Sequence, residues 1–146
     1  MTLYEILKTK GSEVFTIRPD ATVEEAVGEL VRRNVGCLVV CDRGLEEGER
    51  LAGVLSERDI LRFFASGKGP LSAWSVSQVM TTQVVTGSPL DSVEATMGLM
   101  TTHRIRHLPV LAEGRLVGMV SIGDVVKSQH DHLALENQFM KNYLTG

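Results

Sequence analysis

The sequence predicts an α/β (α+β) fold of two β-α-β-β-α repeats packed about a pseudo-twofold axis. The first observation is a nine-residue pattern that occurs twice, as GVLSERDIL at residues 53–61 and as GMVSIGDVV at residues 118–126. The second is that residues 19–40 align with residues 89–110 at a constant offset of 70. Two copies are too few for a solenoid, so each copy is expected to cover the apolar face of the other.

Each copy opens with a short β-prone run, VFTI at residues 14–17 and QVVT at residues 83–86. A helix follows, with Thr22 or Ser92 as its N-cap, and Glu25 completes a capping box in the first copy only. An apolar strand comes next, CLVV or HLPV, and a turn leads to a second strand, RLAGVL or RLVGMV. The β-α-β portion favours parallel pairing through a helical crossover, and the turn favours a hairpin.

The remaining segments frame the two copies. The offset falls from 70 to 65 because the first copy carries five extra residues in DRGLEEGER, which is expected to form a longer hairpin loop. The first eleven residues resemble a short amphipathic helix. The predicted domains are therefore repeat 1 with this helix at 1–68, a linker at 69–75, repeat 2 at 76–128 and a helical tail at 129–146.

Composition excludes several classes of protein. The chain has 146 residues, of which 43% are hydrophobic and 23% charged, so it can bury a core. Its formal net charge of -3 argues against a nucleic-acid-binding protein, which would carry a basic face. Its apolar runs fall short of the roughly 20 residues that span a bilayer, and its N-terminus lacks signal-peptide character. A cytoplasmic location without membrane association is expected.

The repeated pattern has the chemistry of a ribonucleotide site. Its Ser starts a helix, where free N–H groups favour an anion, and its Asp lies one turn later, where a carboxylate can accept two hydrogen bonds from a diol. The alternative is structural, with the Ser capping the helix and the Asp complementing its dipole. The occurrence of the pattern at matching places in both copies favours ligand binding.

With these motifs, and with TIRPDATVEEA, TGSPLDSVEA and RIRHLPV, the chain resembles a tandem pair of CBS domains, also called a Bateman module. The resemblance covers roughly residues 1 to 128. The motifs are similar to those of stand-alone two-repeat regulatory proteins. It implies an adenosine ligand such as AMP, ADP, ATP, NAD or S-adenosylmethionine, bound in two related clefts between the repeats. It also implies association of pairs through helices, which makes a homodimer the expected assembly.

Carried over from the family, each cleft combines the motif of one copy with the first strand and helix of the other. The principal cleft is expected to contain Ser121, Gly123, Asp124, Thr16, Ala21, Val35 and Gly36. The second cleft is expected to contain Ser56, Arg58, Asp59, Thr86, Asp91, Ile105 and Arg106. Small residues leave room for a base in the principal cleft, whereas Asp91 and Arg106 crowd the second.

Cations near the pseudo-twofold axis are the expected phosphate contacts, namely Arg58, Arg106 and His107; the alternative for the HRIRH run is solvated charge at a helix end. No metal site is expected, because the histidines lack partners at ligand spacing. Cys37 and Cys41 are four apart on a strand, too far apart for a disulfide, and are expected to be buried. Trp74 is expected to anchor the linker.

Three functions compete. The first is a non-catalytic regulatory module that senses an adenosine nucleotide and acts on an unidentified protein target. The second is a structural dimerisation module with vestigial clefts. The apolar tail at residues 129–146 is expected to form a dimer contact, and the alternative is that it packs on its own domain. The third, an enzyme, is not expected, because neither a P-loop nor an activated nucleophile can be identified and the repeats account for nearly all of the chain.

Overall fold

The computed structural model describes residues 1–11, 13–44 and 48–145. They form a mixed helix and strand fold that divides into two compact units. The N-repeat unit comprises Glu13–Val85 with Leu111–Val117, and the C-repeat unit comprises Met1–Ser12, Thr86–Val110 and Gly118–Gly146. In chain order the elements are α1 (Leu3–Lys10), β1 (Thr16–Ile17), α2 (Val23–Arg33), β2 (Cys37–Gly44), β3 (Gly48–Ser56), α3 (Glu57–Ala65), α4 (Val76–Val79), α5 (Val93–His103), β4 (His107–Ala112), β5 (Arg115–Ser121) and α6 (Ile122–Thr145).

The N-repeat unit confirms the predicted β-α-β-β-α order. Strand β1 pairs in parallel with β2 across the α2 crossover, and β2 pairs antiparallel with β3. Helix α2 begins at the predicted capping box, where the Thr22 hydroxyl accepts from the Glu25 N–H at 3.0 Å. Its buried face packs against the sheet in a cluster that consists of Ala26, Leu30, Leu38, Val40, Leu55 and Val76.

The hairpin between β2 and β3 carries the five extra residues of the first copy. Strand pairing continues to Gly44 and resumes at Gly48, so most of DRGLEEGER extends the strands instead of forming a long loop. The prediction of a long loop was wrong for residues 42–44 and 48–50, and residues 45–47 lie outside the described part of the chain.

The second repeat has the same elements as the first except for its opening strand. The run QVVT at residues 83–86, predicted as a strand, is not one, and a single bridge joins Gly87 to Val110 instead. Pro109 explains the difference. In the first repeat the Val39 N–H donates to the Phe15 carbonyl at 3.1 Å, and Pro109, which aligns with Val39, has no N–H to donate.

Two leader helices, α1 and α4, each come before the first long helix of one repeat and dock in the unit of the other. Helix α1 lies in the C-repeat unit, and α4 lies in the N-repeat unit. The two leader helices are held by corresponding hydrogen bonds. The first two N–H groups of each helix donate to carbonyls in the loop before a long helix. These bonds run from Leu3 to Asp91 and from Tyr4 to Pro89, both at 3.0 Å, and from Val76 to Ala21 at 2.8 Å and from Ser77 to Pro19 at 3.0 Å. The N-terminal helix expected with repeat 1 is therefore grouped with repeat 2, and the predicted boundaries remain a prediction.

The docking of the two leader segments also explains why each nine-residue pattern contains a glycine. A Cβ atom at Gly118 would lie 2.6 Å from Cδ2 of Leu7 in α1. At Gly53 it would lie 2.6 Å from the Thr81 carbonyl oxygen and 2.9 Å from Sδ of Met80, which follows α4. Both glycines are therefore required by the close approach of a leader segment.

Helix α6 runs without interruption from Ile122 to Thr145, so the predicted tail at 129–146 continues the last helix of repeat 2. Its second half exposes large apolar side chains, among them Leu133, Leu135, Phe139, Met140, Tyr143 and Leu144. Among the described residues, no helix is both long enough and apolar enough to cross a bilayer.

Trp74 anchors the linker, as predicted. Its ring meets Phe63 of α3 edge-on, with centroids 5.2 Å apart, and its indole N–H donates to the Lys68 carbonyl at 3.1 Å. The linker is thereby fixed to α3.

Candidate ligand-binding site

The Ser–Asp pair of the first repeat forms a reciprocal cap at the start of α3. The Asp59 N–H donates to the Ser56 hydroxyl at 3.2 Å, and the Ser56 N–H donates to Oδ2 of Asp59 at 2.9 Å. Both side chains are half-buried. The structural role weighed for this pair is therefore real, and it holds the carboxylate in one orientation.

The pair of the second repeat has the same geometry at the start of α6. The Asp124 N–H donates to the Ser121 hydroxyl at 3.1 Å, and the Ser121 N–H donates to Oδ2 of Asp124 at 2.9 Å. Gly123, between them in sequence, is exposed. Two carboxylates in the chain are thus presented in the same way.

The two carboxylates differ in their third partner. Oδ1 of Asp59 accepts from the Thr81 hydroxyl at 3.1 Å, whereas Oδ2 of Asp124 accepts from Nζ of Lys10 at 2.6 Å. Burial alone would raise the pKa of Asp124, but the hydrogen bonds from Lys10 and Ser121 and the charge of Lys10 outweigh it. The pKa of Asp124 therefore lies below its ordinary value, and the group is ionised at neutral pH.

The segment before each apolar strand lies against the motif of its own repeat. The Glu57 N–H donates to the Gly36 carbonyl at 3.0 Å, and the Ile122 N–H donates to the Arg106 carbonyl at 2.8 Å. Val35 and Ile105, one residue earlier, are half-buried. The structure thus places Gly36 beside the start of α3 and Arg106 beside the start of α6.

The predicted clefts draw their members from both compact units. Thr16, Ala21, Val35 and Gly36 belong to the N-repeat unit, whereas Ser121, Gly123 and Asp124 belong to the C-repeat unit. The second set divides in the same way, with Ser56, Arg58 and Asp59 in one unit and Thr86, Asp91, Ile105 and Arg106 in the other. Both combinations remain predictions.

Within the N-repeat unit, Thr16 and Ala21 line an open cavity of about 840 Å³ between β1 and α2. The α2 side of this cavity includes Gly28, where an added Cβ would meet no atom within 4 Å. In the C-repeat unit, the Asp91 carboxylate accepts from the Ser88 N–H at 2.8 Å, so it is bound to its own loop. The expected difference in room between the two clefts remains a prediction.

The predicted phosphate contacts occupy helix and strand ends. Arg58 is exposed in the first turn of α3, and Arg106 is exposed just before β4. His107, the first residue of β4, is half-buried and has an interaction partner. A shared role for these three cations in binding phosphate remains a prediction.

The Cys37 side chain is a buried, protonated thiol. Cys37 and Cys41 are buried and form no disulfide. Burial, assisted by the negative charge of Asp59, raises the pKa of the Cys37 thiol to about 12, so this thiol is protonated at neutral pH. The described residues contain no cluster of metal-ligating side chains.

Sequence reasoning missed Lys10 and Thr81, the third partners of the two aspartates. Both come from the leader segments, which align at an offset of 73 instead of 70, since Leu3 corresponds to Val76 and Tyr4 to Ser77. Neither correspondence is marked by an identical residue, so the repeat alignment gave no signal at these positions.

Comparison with known proteins agrees with the doubled motif. The family model described as "CBS domain" matches residues 4–66 and 76–131. The mitochondrial CBS domain-containing protein CBSX3 of Arabidopsis thaliana is 38% identical over 99% of this chain and 72% of its own length. The CBS domain-containing protein YhcV of Bacillus subtilis is 38% identical over 83% of this chain and 82% of its own length.

Solved structures show the same fold. A CBS-domain containing protein from Agrobacterium tumefaciens is 39% identical, with a TM-score of 0.79 over 88% of this chain and 92% of its own. A CBS domain protein from Pyrobaculum aerophilum, complexed with AMP, is 30% identical, with a TM-score of 0.74 over 85% of this chain and 89% of its own. A hexameric CBS-CP12 protein from bloom-forming cyanobacteria is 28% identical, with a TM-score of 0.72 over 86% of this chain and 69% of its own.

Proposed function

The chain belongs to the CBS domain family, and on that premise we propose that it is a non-catalytic regulatory module that senses an adenosine nucleotide. The observation that carries the proposal is the Ser–Asp pair, which occurs twice with its carboxylate held in the same orientation. The AMP complex of the Pyrobaculum aerophilum relative supports the class of ligand. The choice among AMP, ADP, ATP and NAD, the protein target and the cytoplasmic location remain predictions.

In this proposal a motif carboxylate binds the ribose. An ionised carboxylate has two oxygens that accept hydrogen bonds, which matches the two hydroxyls of a ribose diol. The Asp124 cleft is the principal site, with Ser121 and Gly123 at the helix start and with Thr16, Ala21, Val35 and Gly36 as its far wall. The Asp59 cleft is the second site, and Arg58, Arg106 and His107 contact phosphate.

The proposal is tested by titrating AMP, ATP and NAD into the Asp124→Ala protein by calorimetry. Loss of two charge-assisted hydrogen bonds should cost about 2 to 4 kcal/mol of binding, roughly 30- to 1,000-fold in affinity. Asp59→Ala should cost less for the first ligand bound. The matched control is Asp124→Asn, whose amide oxygen can still accept from the Ser121 N–H, so that the cap is kept while the charge is lost.

Melting without ligand separates recognition from capping. Asp124→Ala removes the hydrogen bond from the Ser121 N–H but keeps the bond from the backbone N–H of residue 124 to the Ser121 hydroxyl, so it should cost about 0.5 to 1.5 kcal/mol of unfolding free energy, and Asp124→Asn should cost less. If Asp124→Ala binds all three nucleotides as the parent does and only melts earlier, the pair is structural and the sensing function is wrong.

A structural dimerisation module with vestigial clefts is the second candidate. Two observations favour it: both carboxylates already have protein partners, and α6 exposes an apolar face. A ligand that binds only the folded protein stabilises it by an amount that grows with the logarithm of its concentration. Thermal shifts with adenosine nucleotides therefore support sensing, whereas their absence at millimolar concentration supports the second candidate.

We infer that the assembly is a homodimer to which the second half of α6 contributes. Leu133, Leu135, Phe139, Met140, Tyr143 and Leu144 are each at least half exposed and fall within one half of the helix circumference. A solvated helical segment as short as the second half of α6 is marginal in water unless its apolar face is covered. In sedimentation at micromolar concentration, Phe139→Glu should shift the dimer toward monomer, whereas Gln138→Glu, on the polar face, should not. A monomeric parent would contradict the inference.

A further inference from the structure

Lys10, at the end of α1, occupies one of the two carboxylates that the proposed function assigns to the ligand. We propose that Lys10 is an internal competitor at Asp124, which a ribose diol must displace before it can bind there. The proposal rests on the proposed function and adds to it a residue that sets the affinity of one cleft and leaves the other unaffected.

The contacts of Lys10 are specific. Its Nζ donates to Oδ2 of Asp124 at 2.6 Å and to the Met119 carbonyl at 3.0 Å. The side chains of Lys10 and Asp124 are 37% and 25% exposed, so the pair is only partly screened by water. A backbone carbonyl and a carboxylate together fix the ammonium at this point.

The same carboxylate oxygen also accepts from the Ser121 N–H at 2.9 Å. With Lys10 in place, Oδ2 therefore receives two donors and both of its lone-pair directions are used. A vicinal diol donates best when its two hydroxyls meet the two oxygens of one carboxylate. The hydrogen bond from the Ser121 N–H is part of the helix cap and is kept when a ligand binds. The Lys10 ammonium is therefore the partner that a diol would replace.

The first repeat provides an internal comparison. At Asp59 the third partner is the Thr81 hydroxyl, which meets Oδ1 at 3.1 Å. A hydroxyl is neutral, rotates freely and can accept a hydrogen bond from a ligand, whereas an ammonium can only donate. Competition of this kind is therefore expected at Asp124 and not at Asp59.

The displaced ammonium has a place to move to. Lys10 and Asp124 line a cavity of about 250 Å³ between α1 and the start of α6, which is also lined by the carboxylates of Glu5 and Asp131. Helix α1 itself is held by the buried side chains of Leu3, Ile6 and Leu7. The displacement is thus confined to the Lys10 side chain, which stays near acidic groups.

The test compares Lys10→Met with Lys8→Met by calorimetric titration of AMP and of adenosine. Lys8 is an exposed lysine of the same helix and serves as the matched control. Lys10→Met should bind both probes about two- to fivefold more tightly than the parent, the range that a partly exposed ion pair is worth. Lys8→Met should bind as the parent does. The gain should disappear when Lys10→Met is combined with Asp124→Ala.

Each outcome of this titration either supports or overturns the competition by Lys10. Equal or weaker binding of adenosine by Lys10→Met would overturn the proposal while the sensing function stands. Tighter adenosine binding together with weaker AMP binding would support the competition and add a phosphate contact by Lys10. If neither the parent nor any variant binds AMP or adenosine, the proposed function fails, and this inference fails with it.

Discussion

The docking of each leader helix in the unit of the other repeat can be tested at Gly53 and Gly118, because each of these glycines makes close contact with a leader segment. The change is Gly53→Ala in one protein and Gly118→Ala in another. A contact of 2.6 Å must lengthen by roughly 0.8 Å to reach ordinary van der Waals distance, so some part of each site has to move. What can move differs between the two sites.

At Gly53 the contact is with backbone. The Thr81 carbonyl accepts from the Val54 N–H at 3.0 Å, and the Thr81 N–H donates to the Val54 carbonyl at 2.9 Å. A methyl group that pushes this segment away would weaken both bonds. Overpacking of about 1 to 3 kcal/mol plus about 1 kcal/mol for each weakened hydrogen bond predicts a loss of roughly 3 to 5 kcal/mol of unfolding free energy.

At Gly118 the contact is with the far end of the Leu7 side chain, which can change rotamer. Gly118→Ala should therefore cost only about 1 to 2 kcal/mol. Leu7→Ala alone should cost about 2 to 4 kcal/mol because Leu7 is buried. In the double variant the two costs should fall short of additivity by about 1 kcal/mol, since truncation of Leu7 removes the clash.

Urea unfolding of the ligand-free protein, followed by circular dichroism, measures these values, provided that other probes show the same transition. Additivity of Gly118→Ala and Leu7→Ala within about 0.5 kcal/mol would refute the packing of α1 on Gly118. A Gly53→Ala protein as stable as the parent would likewise refute the docking of the segment after α4.

Two further predictions concern stability. Because Asp124 has a lowered pKa in the folded state, its ion pair should stabilise the protein above the ordinary aspartate pKa of about 3.9 and lose this effect as the pH falls through the folded pKa. The parent should melt up to about 4 °C above Lys10→Met at pH 7, and the difference should vanish in acid; a difference independent of pH would contradict the ion pair. Trp74→Ala should cost about 2 kcal/mol in urea unfolding, and Trp74→Phe, which retains a ring beside Phe63, should cost less. Equal costs for the two variants would show that the ring contact contributes little.

Local chemistry accounts for what the sequence predicted well. The capping box of Thr22 and the caps of Ser56 and Ser121 depend on residues within one turn, so their patterns could be read directly. The parallel crossover and the hairpin followed from the alternation of apolar segments and turns. Pro109 also carried a readable signal, because a proline in that strand removes the donor that an opening partner strand needs, but the prediction of a strand at residues 83–86 did not use it.

Non-local contacts account for what was missed. Thr81, the partner of Asp59, is 22 positions away in sequence, and Lys10, the partner of Asp124, is 114 positions away. The residue types of Thr81 and Lys10 do not predict these contacts. The unit in which α1 docks was also missed, because an amphipathic helix reveals that it has a buried face and not what covers it. The clefts themselves remain a prediction derived from the family.

The exchange of leaders sets an order in which the chain can fold during synthesis. Residues 13–85 carry both the first repeat and α4, which docks on it, so most of this unit leaves the ribosome before the second repeat is made. Helix α1 is made before the first repeat but docks against Pro89, Asp91 and Gly118, so Leu3, Ile6 and Leu7 stay uncovered while about a hundred further residues are translated. At about 5 to 20 residues per second this interval lasts roughly 5 to 20 s, during which an apolar helix is accessible to chaperones.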